Sequence, residues 1–177
     1  MMRRLSFVIR CSAFIKDDPG KVNLALCVIV LLHWLLDALP DFPHIWHGLI
    51  EASVDQQSSI FLAILSVSAM VAGFAGVVVV FGLSTVDILR KLRARAGKAL
   101  TRNWISVSSA GFLGTGLALI AVLVLYSPLK HAAVWFFELA VLICLNGILR
   151  LLWLLKSLIK LVQADDIKKA QEEDEIK

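Results

Sequence analysis

The sequence predicts an all-α integral membrane protein, a bundle of four transmembrane helices, on three observations. First, 59% of its 177 residues are hydrophobic and 18% are charged, where a soluble domain carries about 45–50% and about 25%. Second, the charges sit in blocks between long apolar runs, and about 20 apolar residues at about 1.5 Å each cross a hydrocarbon core of about 30 Å. Third, the basic residues are one-sided. Of the 18 Lys and Arg residues, only Lys130 falls in the loops on one side of the four spans. The positive-inside rule then places both termini and the 84–104 loop in the cytoplasm. The chain is a single membrane domain, 1–177, with no room for a separate soluble catalytic domain. No Asn-x-Ser/Thr site occurs, which fits a bacterial inner membrane.

The N-terminal segment, 1–21, has Arg3, Arg4 and Arg10 among Leu5, Phe7, Val8, Ile9 and Phe14. Arg10 interrupts the apolar run and no small-residue cleavage pattern follows, so the expectation is a short helix on the headgroups, not a signal peptide. Asp18 can cap the next helix and Pro19 can take its first position, where a missing N–H costs nothing. Span 1 covers residues 22–39 and is interrupted only by His33 and Asp37. Pro40 and Pro43 end it. In the loop that follows, Ile45, Trp46, Leu49 and Ile50 have one-face helical spacing. They predict a half-immersed turn with Trp46 at the interface.

Span 2 covers 60–83, and its helix is expected to continue past the membrane as a basic stem, with Gly97 as the break. Span 3 covers 105–126, anchored at its ends by Trp104 and Tyr126. Ser127-Pro128-Leu129-Lys130 is a tight turn. Span 4 covers 132–155, and its helix can continue through Val162. The charged cytoplasmic tail, 156–177, reads from Gln163 onward as solvated and partly disordered.

Lipid offers no hydrophobic drive between helices, so close approach at small residues must hold them together. Ala69/Gly73 and Ala72/Gly76 in span 2, and Ala110/Gly114/Ala118 in span 3, are i,i+4 small-residue ridges. They predict a glycine-rich central hairpin of spans 2 and 3, with a subunit interface as the sharper alternative. The intramembrane polar set is His33, Asp37, Glu138, Asn146 and Arg150. A charge at the bilayer centre costs about 2.5–3.5 kcal/mol, so such residues carry a functional hypothesis. At about 100° per residue, Glu138 and Asn146 lie about 80° apart and Arg150 about 120° from Glu138, so all three can face the interior. Asp37 is near enough to the surface to be hydrated, and Arg150 can snorkel to the headgroups. Glu138 either pairs with His33 and joins spans 1 and 4, or lines a hydrated path.

The basic loop carries Arg90, Lys91, Arg93, Arg95, Lys98 and Arg102. Topology and contact with anionic lipid suffice to account for it at roughly 1 kcal/mol per base, with docking of a membrane or cytoplasmic protein partner there as the alternative. Nucleic acid is not expected, because the bases flank apolar spans. Cys11, Cys27 and Cys144 are odd in number, widely spaced and without a metal-binding pattern. His44-x-x-His47 sits in a loop whose prolines disturb helical register, so neither a metal nor any other cofactor is expected. No phosphate-binding glycine loop, catalytic triad or HExxH occurs, and no enzyme activity is expected.

The layout of span number, length and orientation is similar to that of four-span immunity proteins against pore-forming bacteriocins. It is also similar to small membrane components of phage-defence or exclusion systems. The resemblance implies a non-enzymatic inner-membrane protein that works by helix–helix interaction, with a second copy of itself or with a membrane-active partner. The alternatives are a homo-oligomeric pore with Glu138 and Asn146 facing a hydrated path, and a small transporter or membrane-enzyme subunit.

Overall fold

The computed structural model of the chain describes residues 19–40, 42–82 and 87–175. The expected headgroup helix, Cys11 and the Asp18 cap lie outside them. Among the described residues five α-helices follow one another: α1 (Pro19–Asp37), α2 (His47–Glu51), α3 (Val54–Gly82), α4 (Asp87–Leu125) and α5 (Ala133–Glu175). A single 3-10 turn, Lys130–Ala132, leads into α5. Among the described residues four segments are long and apolar enough to cross a membrane: Gly20–Asp37, Val54–Val80, Trp104–Leu125 and Lys130–Ala164. This is a multi-pass membrane protein. Hydrocarbon offers no partner to a free N–H or C=O, so each span must satisfy its backbone internally, and a helix does so. Two hydroxyls within the spans follow the same rule. Ser66 Oγ donates to Leu62 O at 2.9 Å and Thr115 Oγ1 to Gly111 O at 2.9 Å.

α3, α4 and α5 pack against one another, while α1 lies on α5 alone among its closer contacts. Only 11% of the α1 span is buried, against 39% of the α5 span, so α1 is a peripheral helix on a three-helix core. One apolar cluster sits at the turn end: Phe61 of α3, Leu125 of α4, and Val134 and Phe137 of α5. The Phe61 and Phe137 rings stack with centroids 4.7 Å apart. A second cluster, at the opposite end, joins Ala75, Trp104, Val107, Leu151 and Leu154.

Between the clusters the backbones come close. A Cβ on Gly111 would stand 2.7 Å from both N and Cα of Ala72, and one on Gly114 would stand 3.0 Å from Ser68 Oγ. A Cβ on Gly147 of α5 would stand 3.2 Å from the Ala110 Cβ. Ala72, Ala110, Gly114 and Ala118 are therefore inside. Ala69 and Gly73 are exposed, and a Cβ on Gly73 or Gly76 would meet nothing within 4 Å. The inward face of α3 is Ser68, Ala72 and Ala75, one position off the Ala69/Gly73 pair. One position is about 100° around a helix. The contact is made by the small residue Ser68 where a reading of Gly and Ala alone places Ala69.

Three expectations at the opposite end are corrected. Gly97 lies inside α4, so the basic segment from Asp87 onward belongs to the helix of span 3. The charged tail is helical as far as Glu175. Its Lys and Glu content favours helix once a long apolar stretch has nucleated one. Trp104 is 3% exposed in the second cluster, not an interface anchor. Tyr126, at the other end of that span, is exposed.

Candidate functional site: an intramembrane carboxylate bridged by two segments

Glu138 lies five residues into α5, about 7–8 Å along its axis from Ala133. Two other segments reach its carboxylate. His33 Nδ1 of α1 lies 2.7 Å from Oε1 and 3.0 Å from Oε2. Trp46 Nε1, from the loop before α2, donates to Oε2 at 3.1 Å. The side chains of His33 and Glu138 are 13% and 12% exposed. The imidazole is also edge-on to Trp135 at 5.3 Å and to Phe42 at 5.9 Å. Its Nε2 is buried and meets no hydrogen-bond partner among the described residues.

Local chemistry explains how Trp46 gets there. Ser53 and Gln56 form a reciprocal cap at the start of α3: Gln56 N–H donates to Ser53 Oγ at 3.3 Å, and Ser53 N–H donates to Gln56 Oε1 at 3.2 Å. The next residue, Gln57, is buried and donates through Nε2 to Ile50 O at 3.2 Å and Ala52 O at 2.9 Å. Those bonds satisfy carbonyls at the end of α2 and fold the loop back over the bundle. Leu49 and Ile50 pack on the turn-end cluster, and the Trp46 ring meets Phe137 edge-on at 5.7 Å. Trp46 is thus a bridging donor, where its sequence context suggests an interface anchor. Nothing in its spacing points to Glu138, because the approach depends on where α2 lies.

Two further histidines of this region pair with nearby carboxylates. His44 Nδ1 lies 2.9 Å from Asp37 Oδ1, and His47 Nδ1 lies 3.3 Å from Glu51 Oε2. The two imidazoles are 6.4 Å apart, each beside its own carboxylate. No group of three His, Cys, Asp or Glu residues placed to hold a metal ion occurs among the described residues. Cys27 is half-buried and Cys144 buried, and both are free thiols.

A second polar cluster lies farther along α5. Arg150 Nη1 donates to Ser106 Oγ of α4 at 2.9 Å, and its Nε donates to Asn146 Oδ1 at 3.3 Å. Arg150 is 6% exposed. It therefore points into the α4–α5 contact and does not snorkel to the headgroups, as its position near the span end suggests. Ser106 supplies the acceptor that makes the inward rotamer tolerable. Asn146 and Glu138 serve different clusters. The backbone of Arg90, Lys91, Arg93, Arg95 and Lys98 is helical in α4, and Arg102 is exposed.

The geometry makes Glu138 a crosspiece. One carboxylate on the fourth span holds the first span and the intervening loop. No protein-family model, curated protein or solved structure matches the chain.

Proposed function

We propose that this protein is a non-enzymatic, multi-pass protein of a bacterial inner membrane, with both termini in the cytoplasm. On this reading it acts through helix–helix contact with a membrane-active partner or a second copy, in an immunity, exclusion or phage-defence type of role. One observation carries the reading: the intramembrane carboxylate is engaged by two side chains of the same chain, His33 and Trp46. A path for ions needs polar groups turned to a shared aqueous centre, where a ring of charge sets selectivity. Here Glu138 bridges α1, the α2 loop and α5, and Asn146 is bound by Arg150. The lipid-facing surface of α1 supports a contact role as well. Leu24, Val28, Leu32 and Leu35 are all exposed on a helix that buries little against its own chain.

The experiment is ion flux through the purified protein in liposomes, wild type beside Glu138→Gln, with oligomeric state measured in mild detergent. Both proteins are expected to be silent in flux. Reproducible wild-type conductance whose cation preference disappears in Glu138→Gln would replace this reading with a homo-oligomeric pore.

A further inference from the structure

Two titratable side chains meet at the Glu138 bridge largely out of water. His33 Nδ1 lies 2.7 Å and 3.0 Å from the two Glu138 oxygens, and Trp46 Nε1 donates to Oε2 at 3.1 Å. Both side chains of the pair are mostly buried. Trp135 and Phe42 stand edge-on to the imidazole, and its Nε2 is buried and meets no hydrogen-bond partner among the described residues. A charge on the imidazole is therefore balanced through Nδ1 and Glu138. The other titratable groups at this end are placed differently. Asp37 of α1 lies 2.9 Å from His44, and Glu51 of α2 lies 3.3 Å from His47, with both histidines exposed. Asp55 of α3, Tyr126 just after α4, and Lys130 and His131 before α5 are exposed as well.

Two groups this close titrate as a unit. With one proton between them the pair carries no net charge: an imidazolium faces a carboxylate, or a neutral imidazole faces a carboxylic acid. A second proton leaves a net positive charge among aromatic rings, because the carboxylate that balanced it is gone. Loss of the shared proton leaves a net negative charge, met only by the Trp46 N–H and a neutral imidazole. A buried charge without a counter-charge is costly, and opening the contact to water relieves that cost.

We propose that His33 and Glu138 form a proton-operated latch. Holding one proton, the pair fixes α1 and the Trp46 loop on α5; gaining or losing a proton releases them. The inference rests on the Glu138 bridge and goes beyond the proposed role, since a contact protein and a pore could both carry such a latch. Gln57 limits what swings: its bonds to Ile50 O and Ala52 O tie the far end of the loop to α3. The moving part is then 42–48, between that anchor and α1. In the orientation proposed above, the latch meets the pH outside the cytoplasm.

The test is a distance measurement by double electron–electron resonance. It uses the full chain in phosphatidylcholine nanodiscs, in a background lacking the three native cysteines. Nitroxides on Ile45→Cys and Leu149→Cys report the loop against the far part of α5, and both positions are exposed. The scan runs from about pH 4 to about pH 10, which brackets the ordinary carboxyl and imidazole titrations. The expected profile is two-sided. The ratio of displaced to docked loops is smallest at an intermediate pH and rises about tenfold toward each end, the factor that about 1.4 kcal/mol gives. Glu138→Gln leaves only the imidazole of the pair to titrate, so its loop should stay docked at high pH and open as the pH falls. His33→Gln leaves only the carboxyl group, so its loop should stay docked at low pH and open as the pH rises. His44→Gln combined with His47→Gln should keep the two-sided profile, because those imidazoles are exposed. A wild-type ratio that is flat, or that rises at one end only, overturns the proposal. So does a two-sided profile that survives in Glu138→Gln, since the titrating group would then lie elsewhere. The wild-type scan is decisive even where a variant fails to fold.

Discussion

Gly111 lies so close to Ala72 that a Cβ on it would stand 2.7 Å from two backbone atoms of the neighbouring helix. Backbone cannot swing aside as the end of a side chain can. The α3–α4 contact therefore depends on this residue having no side chain. Gly111→Leu is expected to destabilise the bundle by about 1–3 kcal/mol or more, the range for overpacking. Gly73→Leu, on an outward position with nothing within 4 Å, is expected to stay within about 0.5 kcal/mol. Unfolding midpoints in detergent with rising dodecyl sulfate would rank the two. Equal loss in both would mean that α3 is rotated about its axis relative to the structure.

Replacing Glu138 separates shape from charge. Glu138→Gln keeps an acceptor for Trp46, and a hydrogen bond between membrane helices is worth only about 0.6 kcal/mol on average. That variant should unfold almost as the wild type does. Glu138→Leu leaves the half-buried Trp46 N–H and the His33 ring without their partner, at about 1–3 kcal/mol. Limited proteolysis within residues 42–53 should quicken in Glu138→Leu alone. Unchanged cleavage would show that the loop is held by its apolar contacts with the turn-end cluster.

Arg150 makes two directed bonds from one planar group, Nη1 to Ser106 and Nε to Asn146. A lysine ammonium cannot reproduce that fork. Arg150→Lys is expected to lower stability by about 1.5–3 kcal/mol, the range for a hydrogen bond to a charged group. Ser106→Ala should fall in the same range. Combined, the two changes should cost less than their sum, because they remove a shared bond. Strict additivity in thermal unfolding would count against the Ser106 contact.

The proposed orientation is tested by labelling in intact cells, in a background lacking the three native cysteines. Reporters at Ser53 and Ser127 should react with an impermeant thiol reagent, and reporters at Ala96 and Ala170 should be protected. Labelling of Ala96 from outside would place the basic end of α4 on the wrong face and reverse the topology.

Much of this fold is legible in the one-dimensional pattern. The four spans follow from apolar runs long enough to cross a bilayer, and the helix starting at Pro19 follows from the missing N–H of proline. Gln163 onward is a different case. A polar composition alone suggests disorder, but a helix already nucleated in α5 extends through it at little cost. His33 and Glu138 stand out in sequence because ionisable groups in a span are rare. Their partners do not. Trp46 and Ser106 look like ordinary boundary and helix-face residues, and only the paths of α2 and α4 bring them to Glu138 and Arg150.

By itself the sequence determined where the chain crosses the membrane and which residues are too polar to face lipid without a partner. Both follow from transfer between water and hydrocarbon, which acts residue by residue and needs no neighbour to be known. Tertiary structure decided which face of each helix turns inward. It chose Ser68 and Ala72 over Ala69 and Gly73, and it turned Arg150 toward Ser106. The reason is that nearly every face of such a helix is apolar. In lipid no face gains from hiding, so the choice falls to close packing and a few hydrogen bonds between residues far apart in the chain.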